Sequence, residues 1–131
     1  MNNSSLRVLG VRIDMADYDS TLSLIKDSII QHSAGNYICA CNVHVIMVSK
    51  NDKELKKALD NSLLTVPDGM PVVWAARKLG ASIKATVRGT NLMLRSCEMA
   101  ERLGYSVFLY GGKPQTLKKL EQTLLKRYHR L

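Results

Sequence analysis

At 131 residues the chain has the length of one domain with a real core, short for most enzymes. Nineteen Lys and Arg against eleven Asp and Glu give a formal charge of +8, which suits an anionic partner such as a nucleotide, a phospholipid surface or nucleic acid. No run approaches the roughly 20 apolar residues of a membrane span, so any membrane contact is expected to be peripheral. Met1-Asn2-Asn3-Ser4-Ser5 leads in without the apolar core of a signal peptide. Cys39, Cys41 and Cys97 fit neither a disulfide framework nor a zinc pattern, so a reduced, cytosolic protein without a metal site is expected. Five Tyr, one Trp and one Phe are too few to interleave with the basic residues as a stacking platform, and no nucleic-acid motif is present.

Strand and helix signals alternate along the chain. Val8 to Met15 alternates apolar and polar residues, as in a half-buried strand or hairpin. Asp19 or Ser20 then caps a helix carrying Leu22, Leu24, Ile25, Ile29 and Ile30. Tyr37 to Cys41 reads as a short apolar strand ending in Asn42, followed by a short helix over Val43 to Lys50. Asp52 caps a second helix through Leu59, and a strand from Leu63 to Val66 enters the turn Pro67-Asp68-Gly69. The next helix stops at Gly80. A poorly patterned stretch leads to Arg88-Gly89-Thr90-Asn91, where Thr90 or Asn91 can cap a helix through Leu103. Tyr105 to Tyr110 reads as the clearest buried strand, and Gly111-Gly112-Lys113-Pro114 turns into a last amphipathic helix. This alternation predicts an α/β domain, a largely parallel sheet flanked by helices, with a short N-terminal strand or hairpin.

Chemistry collects at three loops that follow strands. Asp68 places one carboxylate at a strand's carboxyl end, where ligands bind in open α/β sheets. Pro, Asp and Gly are also the commonest turn residues, so a plain turn explains the same tripeptide. Asn42 with His44 occupies the second loop, where a lone histidine is more often packed or capped than catalytic. Gly111-Gly112 forms the third, and would let a phosphate approach a helix amino end, although it lacks full dinucleotide or P-loop spacing. Arg88 beside Gly89 offers a guanidinium to a diphosphate, or is simply an exposed loop arginine.

Four blocks taken together resemble the WecG/TagA/CpsF glycosyltransferases, also called glycosyltransferase family 26. They are Asn42-Val43-His44-Val45, Leu64 to Ala75 around Pro67-Asp68-Gly69, Val87-Arg88-Gly89-Thr90-Asn91-Leu92, and Val107 to Gly112. The resemblance runs from Leu9 to the end of the chain. It implies an inverting bacterial enzyme that moves an N-acetylhexosamine-type sugar, N-acetylmannosamine or its uronic acid, from UDP to undecaprenyl-diphosphate-linked N-acetylglucosamine during surface polysaccharide or teichoic acid synthesis. On that resemblance Asp68 is the general base. Asn42, His44, Arg88, Gly89, Asn91, Gly111 and Gly112 line the substrate pocket, and no cofactor or metal is required. It further implies self-association and peripheral contact with the inner face of an anionic membrane.

The chain departs from the family pattern in three places. Ala40 stands where many members have Thr, and Asn91 where many have an acidic residue. Members also continue beyond the position of Leu131 through a further strand and a membrane-binding appendage, so the expectation is a chain lacking the family's C-terminal part. Two other classes fit the same residues: a non-catalytic nucleotide-binding α/β module or inactive family member, and, from charge alone, a nucleic-acid binder.

Overall fold

A computed structural model describes residues 4–131. The lead Met1-Asn2-Asn3, read above as lacking a signal-peptide core, lies outside the described residues. The described residues fall into two compact units, one ending at Gly89 and the other spanning Thr90–Leu131. Together they give a mixed α/β, Rossmann-like fold with an N-terminal hairpin.

The first unit opens with β1 (Ser5–Val8) and β2 (Val11–Asp14), an antiparallel pair in the register Ser5↔Asp14 to Val8↔Val11. The alternation seen in the sequence is therefore a hairpin, with Val8, Val11 and Ile13 turned into the core. Helix α1 (Tyr18–Ile30) begins two or three residues earlier than expected. Asp17, not Asp19 or Ser20, is the cap: its carboxylate accepts from the Ser20 N–H at 2.8 Å, and the Ser20 hydroxyl accepts from the Asp17 N–H at 3.0 Å. These bonds hold the exposed Asp17 carboxyl below its ordinary value.

Next come β3 (Ile38–Cys41), α2 (Val43–Ser49), α3 (Lys53–Asn61), β4 (Leu64–Pro67) and α4 (Met70–Lys78). Strands β3 and β4 are parallel, in the register Ile38↔Leu64 to Cys41↔Pro67. All four β4 residues are buried, as a short apolar run between helices requires. The core of this unit gathers Val8, Val11, Ile13, Cys41, Ile46, Leu59, Val72, Val73 and Ala76.

The edge of β4 turned away from β3 is filled without a further strand. The buried Asp14 carboxylate accepts from the Thr65 N–H at 2.7 Å, and Val87 N–H donates to the Pro67 carbonyl at 2.7 Å. Arg12 locks the Asp14 end. Its Nε donates to Asp14 Oδ2 at 3.2 Å, and its two Nη atoms donate to the Asp60 and Ser62 carbonyls at 3.0 and 2.6 Å. Ser62 and Thr65 share a hydroxyl hydrogen bond of 2.9 Å in the same buried network.

The second unit consists chiefly of α5 (Gly89–Leu103), apart from its first residue, and α6 (Pro114–Arg127). Helix α5 starts at Gly89, so Thr90 and Asn91 lie in its first turn instead of capping it. Cys97, Leu124 and Tyr128 form a small core with Leu94, Leu109 and Leu120 packed around it, and the Tyr128 hydroxyl donates to the Leu94 carbonyl at 2.9 Å.

The expected buried strand Tyr105 to Tyr110 is absent. This stretch is irregular, with Phe108 88% and Tyr110 93% exposed. Its apolar, aromatic composition satisfies strand propensity. A strand exists only when a ladder partner takes its N–H and C=O groups, and no strand among the described residues pairs with this segment. Gly111-Gly112 consequently follows a coil, not a strand.

Candidate active site

Parallel pairing brings two of the predicted loops to one rim. The Asp68 N–H donates to the Cys41 carbonyl at 3.0 Å, continuing the β3–β4 ladder by one step and setting Asp68 in register beside Asn42. Both residues therefore stand at strand carboxyl ends, followed directly by helices α2 and α4.

Asn42 caps α2: its Oδ1 accepts from the Val45 N–H at 3.0 Å. The side chain is exposed, and with Oδ1 engaged its NH₂ group is what remains to offer a ligand oxygen. His44 is also exposed, in the first turn of the same helix.

The half-buried Asp68 is held by what flanks it. Gly69 adopts φ +105°, a conformation that side-chain-bearing residues rarely reach, which lets the chain leave β4 and enter α4 in one step. The Thr86 hydroxyl spans the turn, donating to the Pro67 carbonyl at 2.9 Å and accepting from the Gly69 N–H at 2.7 Å. Gly89 N–H donates to Asp68 Oδ2 at 3.2 Å, fixing one carboxylate oxygen. A side chain at 89 would be crowded: its Cβ would stand 3.1 Å from Ala40 Cβ and 3.6 Å from Asp68 Oδ2. Arg88 is exposed, and its N–H donates to the Tyr18 hydroxyl at 2.9 Å.

Cys41 lies beneath this rim, fully buried. Burial first, then the neighbouring Cys39 and the Asp68 carboxylate, push its thiol up to about 11, so it sits there as a neutral apolar group. No group of three or more His, Cys, Asp or Glu side chains able to hold a metal ion occurs among the described residues. A hollow of about 570 Å³ lined by Ile25, Ile29, Tyr37, Ile38 and Leu63 lies at the amino end of β3, and it contains none of the predicted site residues.

Of those residues, Asn42, Asp68 and Gly89 are thus tied together within the first unit by register or a hydrogen bond, and Arg88 adjoins Gly89 in the chain. His44 lies two residues beyond Asn42, in the first turn of α2. Asn91, Gly111 and Gly112 belong to the second unit, all exposed, and Gly112 precedes the Lys113 N-cap of α6. Two residues at the Asp68 loop escaped the sequence reading. Thr86 lies in the stretch without periodicity, and Tyr18 lies 70 positions from its partner Arg88; neither carries a local signal.

Comparison with known proteins agrees with the resemblance. A model of the glycosyl transferase WecG/TagA/CpsF family matches residues 6–131. A curated relative from Bacillus subtilis (strain 168), an N-acetylglucosaminyldiphosphoundecaprenol N-acetyl-beta-D-mannosaminyltransferase, is 21% identical over 109 residues, covering 83% of this chain. The chain spans 43% of that relative's length. Among the described residues no helix is long and apolar enough to cross a membrane.

Proposed function

The chain belongs to the WecG/TagA/CpsF glycosyltransferase family, and from that premise we propose that it serves the inverting transfer of N-acetylmannosamine, or a related N-acetylhexosamine, from a UDP-sugar to an undecaprenyl-diphosphate-linked N-acetylglucosamine. The observation that carries the reading is the tethered Asp68 carboxylate at the shared strand end, beside Asn42. In the proposed reaction the acceptor hydroxyl oxygen forms a bond to the anomeric carbon from the face opposite UDP. Asp68 takes the hydroxyl proton as the new bond forms. The bond between the anomeric carbon and the diphosphate oxygen breaks, UDP leaves with the electron pair, and the anomeric configuration inverts.

The supporting roles follow from residue chemistry. Asn42 offers an amide donor to a sugar oxygen, and Arg88 offers a guanidinium suited to the charge growing on the leaving diphosphate. Oδ2 of Asp68 is already oriented by Gly89, so the base does not have to be ordered as the acceptor arrives. His44, Asn91, Gly111 and Gly112 enter the proposal through the family resemblance alone.

Calorimetric titration with UDP-N-acetylmannosamine and UDP-N-acetylglucosamine, with ADP-glucose as control, tests the donor half. Saturable binding of a UDP-sugar alone supports it. A folded protein that binds neither UDP-sugar overturns it. UDP-sugar binding with no transfer to a lipid-linked acceptor would instead identify a nucleotide-binding module.

A further inference from the structure

We propose that Thr86 is a positioning residue for Asp68: its hydroxyl clamps the two ends of the Pro67-Asp68-Gly69 turn and thereby sets the carboxylate. The inference rests on the reading of Asp68 as the base, and concerns how that base is held.

The geometry is specific to a hydroxyl group. One atom, Thr86 Oγ1, donates to the Pro67 carbonyl at 2.9 Å on one side of Asp68 and accepts from the Gly69 N–H at 2.7 Å on the other. Only a group that is donor and acceptor at once can do both. Thr86 is half-buried, and the next residue, the fully buried Val87, repeats the attachment through its N–H to the same Pro67 carbonyl at 2.7 Å. Two residues further on, the Gly89 N–H reaches Asp68 Oδ2. The segment from Thr86 to Gly89 is thus zipped along the turn at three successive points. The backbone on both sides of Asp68 and one oxygen of its carboxylate share the same support.

Gly69 needs this support more than an ordinary residue does. At φ +105° it is in a region where glycine alone moves freely, so its N–H can swing unless something accepts from it. Removing the Thr86 hydroxyl releases the Gly69 N–H and half of the Pro67 attachment. The register between the 86–89 segment and the turn then loosens, and with it the bond from Gly89 to Asp68.

Thr86→Val keeps the volume and removes the hydroxyl, whereas Thr86→Ser keeps the hydroxyl. In Thr86→Val, amide hydrogen exchange at Gly69 and Gly89 is expected to rise about tenfold, the scale of one lost hydrogen bond. The Asp68 χ1 couplings should change from one rotamer to an average, and kcat should fall about tenfold with KM for the UDP-sugar nearly unchanged. Thr86→Ser should restore the wild-type exchange, rotamer and kcat. Thr86→Val with wild-type exchange and a single Asp68 rotamer overturns the proposal, as does Thr86→Ser impaired as much as Thr86→Val. If Thr86→Val does not fold, Thr86→Ala is read by the same amide and coupling measurements. Spectroscopic changes in a protein whose wild type transfers no sugar would leave the clamp standing and refute the base role of Asp68.

Discussion

A methyl group at Gly89 would crowd the candidate site. A Cβ there would press on Ala40 at 3.1 Å while its own N–H is committed to Asp68. Gly89→Ala is expected to cost about 1–2 kcal/mol by overpacking, read as a lower urea midpoint, and to weaken transfer by displacing the N–H from Oδ2. An unchanged midpoint would show that the β3 rim yields to a methyl group. Beneath it, Cys41 makes a pH prediction. Its folded-state thiol sits at about 11 against an ordinary 9.0, so the unfolded chain releases this proton first as pH rises. The stability linked to Cys41 is therefore intact below about pH 9 and is lost as pH climbs to about 11. Burial also raises Cys39, which adds to the same trend. Urea midpoints measured across that range should fall for the wild type and fall less steeply for Cys41→Ala; equal slopes would contradict the assignment.

At the scale of elements, the contact between β2 and β4 is a polar one, and its stability depends on Asp14. Asp14→Ala would leave the Thr65 N–H and the Arg12 Nε without their shared acceptor. Arg12 keeps its carbonyl partners and is 22% exposed, so the expected loss is about 2–4 kcal/mol, less than for a fully buried unpaired charge. Asp14→Asn retains an acceptor and should lose clearly less in the same urea experiment; equal losses would point to packing instead of hydrogen bonding. The elements around the site were legible in the sequence because each carries its own local signal. Asp52 caps a helix as expected, Pro67-Asp68-Gly69 turns as expected, and Leu64 to Val66 is buried as its apolar run implied. What escaped was set by distant partners. Thr86 bonds both ends of the Asp68 turn and Tyr18 accepts from the Arg88 N–H, and local periodicity connects neither of them to the site. Tyr105 to Tyr110 has strand composition but no ladder, and composition alone cannot supply one.

For the whole molecule, charge is unevenly shared. The 42 residues from Thr90 to Leu131 hold eight Lys and Arg against three Glu, more than half of the chain's net +8. Basic residues near an anionic surface gain about 1 kcal/mol each, so the protein should co-sediment with phosphatidylglycerol vesicles at low salt and release as salt is raised. Equal recovery with neutral phosphatidylcholine vesicles would remove charge as the cause. The proposed chemistry itself rests on one carboxylate, Asp68. The most direct test is sugar transfer from UDP-N-acetylmannosamine to a lipid-linked N-acetylglucosamine, comparing wild type with Asp68→Asn after both are shown to be folded. The account predicts transfer by the wild type and a loss of at least about 100-fold in Asp68→Asn, the lower range for removing a general base, with UDP-sugar binding retained. Transfer by Asp68→Asn at close to the wild-type rate would contradict it.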